Sequence, residues 1–370
     1  MKYIPYGRQN IDENDIRSVV TVLRSAWLTQ GPSIDSFEKK VARYVGARYG
    51  VAVANGTCAL HLAYLAAGIG KGDEIITTPN TFVATANAAL YLGARPVFCD
   101  IRLDTYNIDP DEIEKKITPK TKAIVPVHFA GHPCDMNKIL RIAKKHKLLV
   151  IEDAAHALGA TYFGKRIGSL KSDMVEFSFH PVKSITTGEG GLITAQNPEY
   201  NERLRLLRTH GVTKDAKGKN IMTELGYNYR ITDLQAALGT SQLKRLHAFA
   251  ATRRRVVNWY RSELATQKNI ILPQELKGYG SSWHLFIIRT VKPADRDGLY
   301  AFLKNKNIGV NFHYPLVYHH PYYRKLGYGK QKLPNAEIYA STSITLPLHT
   351  LMTRKDVRYI ARCINSYFSI

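Results

Sequence analysis

Cysteine is scarce in this chain. There are four in 370 residues, Cys58, Cys99, Cys134 and Cys363, far apart and with no C-x-x-C pair. That argues against a disulfide framework or a zinc ribbon. Acidic residues are also few, with 30 Asp and Glu set against 52 Lys and Arg, a formal net charge of +22 with His neutral. Such a balance suggests anionic partners or simply a basic surface, and it says nothing about fold. No run of 18 apolar residues occurs, so no membrane-spanning helix is expected. Residues 1–10 lack the apolar stretch of a secretory signal. No internal repeat and no long Gly/Pro/Ser linker is present. Together these absences lead to the expectation of a reduced, cytoplasmic protein. The remainder is ordinary: 45% apolar and 22% charged residues exclude a disordered chain, and the length suits one large or two medium domains.

What is present is alternation. Short apolar, β-rich runs at 50–54, 74–78, 96–100, 123–127, 148–152, 175–179 and 191–195 are separated by helical patterns at 57–67, 81–92, 109–117 and 135–146. Several runs are apolar throughout, as in strands covered on both faces. The helical pattern at 135–146 places Met136, Ile139, Leu140 and Ala143 on one face. Strand–helix alternation over this length predicts a mainly parallel, doubly wound α/β sheet. From about residue 232 the pattern changes. Residues 232–264 read as one long helical stretch, bent or broken. Strands at 283–290 and 309–312 and helices at 297–306 and 354–367 then suggest a smaller α+β domain. The boundary falls near Leu246, giving a large domain over 1–245 and a small one over 246–370. The polar, glycine-containing segment 210–220 reads as an exposed loop.

Ligands collect at the carboxyl ends of strands in open α/β sheets, and four such ends carry chemistry. After the first run, Asn55-Gly56-Thr57-Cys58 turns into a helix whose first amides would suit a phosphate, or merely begin a capped helix. Residues 148–156 end in Glu152-Asp153-Ala-Ala-His156. A buried Asp153 needs a cationic or protonated partner such as a pyridinium nitrogen, unless it is only a helix cap. In 177–191, Lys183 sits between a strand end and a glycine-rich turn. Lodged among apolar neighbours it has a depressed pKa and can act as nucleophile or base; otherwise it is a solvated loop lysine. Thr81-Phe82 opens a helix, where the aromatic covers a flat ring or belongs to the core. Jointly, a phosphate cup, an aromatic cover, a carboxylate and a lysine are the set that pyridoxal phosphate requires.

With these residues in view, the chain resembles, nearly end to end, the fold-type I, pyridoxal-phosphate-dependent nucleotide-sugar aminotransferases of the DegT/StrS group. The most specific stretches are S-F-H-P-V-K-S-I-T-T-G-E-G-G at 178–191, E-D-A-A-H-A at 152–157 and G-Y-N-Y-R at 226–230. The resemblance implies a mainly parallel seven-stranded sheet flanked by helices, with a smaller α+β C-terminal domain. A closer similarity is to enzymes of pseudaminic acid synthesis, which aminate C4 of a UDP-linked 4-keto-6-deoxy-N-acetylhexosamine. Its cues are L-T-Q-G at 28–31, I-T-T-P-N-T-F-V-A-T-A-N at 76–87 and G-V-N-F-H-Y-P-L-V-Y at 309–318.

Carried over by position, the resemblance makes Lys183 the Schiff-base lysine, Asp153 the pyridinium partner and His156 the neighbour of the cofactor's phenolic oxygen. Thr57, Cys58 and Ser178 would contact the phosphate, and Phe82 would cover the ring. Asn228 would cross a dimer interface to the partner's site. Tyr6, Ala26, Trp27, Leu28, Thr29, Gly56, Ser178, Asn228, His313, Tyr314, Pro315 and Leu316 would line the substrate pocket. Arg230 would meet a donor carboxylate or a phosphate, or else form a structural ion pair. The donor implied is L-glutamate, and the assembly is a homodimer with its active sites at the interface. Dehydratases of this family carry histidine in place of the lysine; Lys183 is retained, which favours transamination. Cys58 is a minor variation on the phosphate site.

Three other readings are weaker. Basic runs at 203–208 and 253–255 raise nucleic-acid binding, but no helix-turn-helix, zinc-finger or RNA-binding signature accompanies them. His128, His132 and Cys134 could mimic a metal-ligand set, yet Gly131 and Pro133 put them in a loop and the spacing fits no helix-borne zinc motif. Neither a P-loop nor a strand-linked G-x-G-x-x-G is present. Within the aminotransferase reading, a GDP-linked 4-keto-6-deoxymannose, giving perosamine, or a dTDP-linked 3- or 4-keto sugar would use the same core.

Overall fold

In the computed structural model, which describes residues 3–369, seven strands build one sheet: β1 (Tyr49–Val53), β2 (Glu74–Thr77), β3 (Arg95–Phe98), β4 (Thr121–Ile124), β5 (Leu149–Asp153), β6 (Met174–Ser178) and β7 (Gly191–Ala195). Their order across the sheet is β1-β7-β6-β5-β4-β2-β3. Only β7 runs antiparallel to its neighbours. The seven apolar runs expected as strands between 50 and 195 are these seven, their ends displaced by no more than three residues. Central strands such as Leu149-Val-Ile-Glu-Asp153 are buried almost throughout, because helices cover both faces.

The helices include α1 (Glu13–Leu23), α2 (Pro32–Val45), α3 (Gly56–Ala66), α4 (Ala84–Tyr91), α5 (Met136–His146), α6 (Pro198–Arg208), α7 (Asp233–Leu243), α8 (Leu246–Glu263), α9 (Ala294–Asn305) and α10 (Arg354–Tyr367); Pro334–Thr342 and several shorter turns are also helical. The expected long helix over 232–264 is broken at Lys244 and Arg245, between α7 and α8. α7 starts at a Thr232/Gln235 capping box. A second apolar cluster gathers Val256, Val257 and Tyr260 of α8 with Phe286, Ile288, Leu299, Leu303, Ile344 and Ile364. Ile4 joins it from the beginning of the chain. Here a three-stranded antiparallel sheet of Ile270–Ile271, Phe286–Thr290 and Ser343–Leu346 packs with α9 and α10.

Three local expectations are corrected. The strand expected from 283 begins only at Phe286. Ahead of it, Ser282 and His284 donate their amides to the carbonyls of Gly131 and Ala130, and Trp283 sits at φ 50°. Residues 309–312 are not a strand; only Asn311 bridges to Thr345. The loop expected at 210–220 is partly a hairpin, with Val212–Lys214 paired to Asn220–Met222. The Asp215 carboxylate, accepting from the amides of Lys217 and Lys219, shapes its turn.

Candidate active site

Strands β1, β2, β5 and β6 point the same way, so their carboxyl ends share one edge of the sheet. Four chain segments leave that edge and converge.

From β1 the chain turns through Asn55, whose side chain accepts from the Cys58 amide at 2.9 Å and caps α3. Gly56 is required by proximity: a Cβ there would lie 2.7 Å from Glu176 Oε1 and 3.2 Å from Ser178 Oγ. Gly191 is equally constrained, because the Asn55 carbonyl oxygen would stand 2.4 Å from a Cβ at that position. The half-buried Thr57 and Cys58 begin the first turn of α3, and burial raises the Cys58 thiol pKa.

From β2 the chain runs to Thr81 and Phe82, and the helix begins only at Ala84 rather than at Thr81. Phe82 is 57% exposed, and its ring centroid lies 5.9 Å from that of Tyr314. It therefore stands free as a wall and is not part of the core. Thr85, the second residue of α4, donates its hydroxyl to Asp153 Oδ2 at 2.6 Å.

Asp153 ends β5, is 5% exposed, and also accepts from the Ala155 amide at 3.2 Å. His156 follows in the same turn. Its Nε2 meets the Tyr314 hydroxyl at 3.3 Å, while its Nδ1 is buried with no partner. The His284 ring lies tilted against it, with centroids 4.2 Å apart.

From β6 come Ser178 and the 178–191 loop. This loop is tied down by the Thr186 hydroxyl and the Thr187 amide, both donating to the Phe179 carbonyl at 3.0 Å. Lys183 is half-buried in it. Burial pulls its ammonium pKa down to about 8, against the opposing fields of Glu176 and Asp153. His156, His284 and His313 are all held neutral, first by burial and then by cations that include Lys183. For His313 the pKa falls to about 4. The expected lysine, carboxylate and histidine thus lie within electrostatic reach of one another, and a neutral lysine amine is accessible near physiological pH.

The expected substrate residues fall into two groups. Tyr6 and His313 face each other at 5.4 Å, His313 Nδ1 shares a hydrogen bond with Thr345 Oγ1 at 2.8 Å, and Tyr314 adjoins His156. Pro315 beside them is exposed. Leu316 is fully buried in the apolar cluster with Phe98 and Phe129, so its side chain packs the core. The second group comes from the loop ahead of α2. Ala26, Trp27, Leu28 and Thr29 are exposed on a loop pinned where Asp233 accepts from the amides of Gly31 and Ser33 at 2.7 and 2.9 Å. Trp27, Gly31, Arg208 and Arg230 line a cavity of about 540 Å³. Arg230 takes part in no ion pair among the described residues, whereas Arg208 binds Glu38 at 2.5 Å. Asn228 is exposed, on the same segment as the exposed Leu225.

His128, His132 and Cys134, the residues that could mimic a ligand set, each have protein partners. His128 binds Glu152 at 2.6 Å and accepts from the Cys134 amide, His132 accepts from the Leu276 amide at 3.3 Å, and the Cys134 thiol donates to the Val127 carbonyl. Glu176, on β6, had not been singled out. The available signal was a lone acid inside the apolar run Met174-Val-Glu-Phe177.

A family model described as the DegT/DnrJ/EryC1/StrS aminotransferase family matches residues 9–365. The chain is 40% identical to the spore coat polysaccharide biosynthesis protein SpsC of Bacillus subtilis, over 96% of this chain and 94% of that one. Among solved structures, Helicobacter pylori PseC, an aminotransferase involved in the biosynthesis of pseudaminic acid, superposes with a TM-score of 0.95 at 32% identity over the whole of both chains. The sugar aminotransferase Spr1654 of Streptococcus pneumoniae in its PLP form superposes with a TM-score of 0.94 at 32% identity, over 99% of each chain.

Proposed function

The chain belongs to the DegT/DnrJ/EryC1/StrS aminotransferase family of pyridoxal-phosphate-dependent sugar aminotransferases, and from that premise we propose that it moves the amino group of L-glutamate to C4 of a UDP-linked 4-keto-6-deoxy-N-acetylhexosamine. The full-length likeness to a structure named for pseudaminic acid biosynthesis carries the choice of sugar. The product would feed polysaccharide synthesis in the cytoplasm, in keeping with the role named for SpsC.

The residues fit the cofactor. The capped start of α3 with Ser178 offers phosphate donors, and His156 Nδ1 is a buried polar atom lacking a partner. Thr57, Cys58 and Ser178 would hold the phosphate, Phe82 would cover the ring, and His156 would approach its phenolic oxygen. Asp153 would hold the proton of the ring nitrogen. When bound, pyridoxal phosphate supplies an electron sink for the carbanion at the carbon that loses or gains the amine. Lys183, freed by the incoming donor, would take the proton from the donor's α-carbon and later deliver one to the sugar carbon. Tyr6, Gly56, His313, Tyr314 and Pro315, together with the loop at 26–29, would bind the sugar nucleotide. Arg230 would take a carboxylate or phosphate.

The active unit in this reading is a homodimer in which Asn228 reaches the partner's cofactor. Exposed Ile221 and Met222 on the adjoining hairpin, with exposed Leu225 just after it, support it, since apolar side chains gathered on one surface segment suit a contact. The break between α7 and α8 is where we place the division into large and small domains.

The test begins with the visible absorption band of the purified protein and its loss on adding L-glutamate. A panel of UDP-, GDP- and dTDP-keto sugars then follows, read by mass spectrometry of the aminated product. Turnover of the GDP or dTDP sugars in preference to the UDP sugar would overturn the substrate assignment.

A further inference from the structure

Asp153 and Glu176 are paired in register on the adjacent parallel strands β5 and β6, so their side chains leave the same face of the sheet. Both are buried, yet their surroundings differ. Asp153 accepts two hydrogen bonds, from the Thr85 hydroxyl and the Ala155 amide. Neither oxygen of Glu176 meets a donor among the described residues. The titratable groups facing Glu176 are Asp153 from β5, Lys183 from the loop after β6 and Tyr64 from α3. The Tyr64 hydroxyl is engaged elsewhere, donating to the Thr85 carbonyl at 3.0 Å. From β7 the facing residue is Ile193, which is apolar.

An ionised carboxylate without donors is costly to bury, and two adjacent carboxylates do not both stay charged. The member with donors keeps the charge and the member without them keeps the proton. That proton then needs an acceptor, and the neighbouring carboxylate is Asp153. We propose that Glu176 is a positioning residue that remains a neutral carboxylic acid and donates a hydrogen bond to Asp153, lowering the basicity of Asp153 so that the proton it holds stays on the cofactor's ring nitrogen. Burial first, and then Asp153, push the Glu176 carboxyl well above the usual range, in the same direction. Lys183 opposes this, but the net direction stays upward. The proposal rests on Asp153 facing the ring nitrogen.

Infrared difference spectroscopy and nitrogen NMR test it. At neutral pH the wild type, with and without pyridoxal phosphate, should show the carbonyl stretch of a protonated carboxylic acid, and Glu176→Gln should lack it. A wild type without that band, or a band that survives in Glu176→Gln, overturns the proposal. With ring-labelled pyridoxal phosphate, Glu176→Gln, which can still donate, should keep the protonated-nitrogen resonance. Glu176→Met, which cannot, should shift the resonance toward the unprotonated ring and lower kcat roughly tenfold with little change in KM, as expected for losing a hydrogen bond to a charged group. An unchanged resonance in Glu176→Met overturns the proposal. The wild-type infrared titration does not depend on any variant folding. If the ring nitrogen is already unprotonated in the wild type, it is the role of Asp153 that fails, while the infrared band still decides the state of Glu176.

Discussion

The Thr85 hydroxyl stands between two acceptors and chooses one: it lies 2.6 Å from Asp153 Oδ2 and 3.3 Å from the Phe82 carbonyl. The Thr81 hydroxyl, 2.8 Å away, completes a relay from Thr81 through Thr85 to Asp153. Hydrogen bonds to a charged acceptor are the shorter and stronger ones, so the relay fixes the orientation of the Asp153 carboxylate. Thr85→Val keeps the shape and removes the donor. Losing a hydrogen bond to a buried charge costs about 1.5–3 kcal/mol. The expected result is a kcat lower by about 10–100-fold with the circular dichroism spectrum unchanged. Wild-type kcat in this variant would remove the relay from the mechanism.

Lys183→Arg should fold normally and lose turnover by at least about a thousandfold, since a guanidinium stays protonated and neither attacks an aldehyde nor moves a proton at neutral pH. Pyridoxal phosphate would bind through its other contacts without the absorption band of a lysine-linked cofactor. Absorbance after dialysis and a glutamate half-reaction measured on the same sample decide it.

Capture of pyridoxal phosphate by the cofactor-free protein should accelerate with pH. The Lys183 pKa is lowered to about 8, chiefly by burial. Below that pH most molecules carry the unreactive ammonium, and the amine fraction rises about tenfold for each pH unit. Above about 8 the rate should level off. An exposed lysine would continue to gain up to its ordinary value above 10. Stopped-flow absorbance between pH 6 and 10 measures the midpoint, and a midpoint near 10 would mean that the lysine is solvated.

Much of this site was legible in the sequence because its parts lie just past apolar strands, and strand ends are where a parallel sheet gathers its ligands. Lys183 and Asp153 could be singled out from that rule, whereas His156 and Ser178 received their expected roles from the family resemblance. The relay from Thr81 and Thr85 could not, because it depends on how α4 leans over the end of β5, a tertiary fact. Glu176 looked like an interruption of an apolar run, and its meaning depends on the register that sets it beside Asp153. In the fold, α1 and α2 went unread although Asp12 and Asp15 form a capping box and Gly46 closes α2 in a left-handed conformation. Residues 309–312 misled because an apolar, β-rich segment lacks a neighbour to pair with along its length, and β propensity reports packing rather than backbone preference.

Two arginines on one cavity should respond to truncation in opposite ways. Arg208 donates to Glu38, itself 2% exposed, and to the Ala52 carbonyl at 2.8 Å; Glu38 in turn accepts from the Ala52 amide at 2.9 Å and from Arg205 at 2.8 Å. This network ties α6 and α2 to the edge strand β1. Arg208→Ala leaves part of a buried charge unmatched, so a loss of about 3 kcal/mol is expected, read as a lower urea midpoint at unchanged slope. Arg230 has no acidic partner among the described residues, so Arg230→Ala should leave that midpoint in place. If its guanidinium meets a substrate carboxylate or phosphate, KM for that substrate should rise about 10–100-fold while kcat holds, the pattern of lost binding shared by ground and transition states. Arg230→Lys should recover only part of it, because an ammonium cannot form the two parallel bonds of a guanidinium. A destabilised Arg230→Ala protein with wild-type KM values would make this arginine structural and leave the substrate's anion to be bound elsewhere.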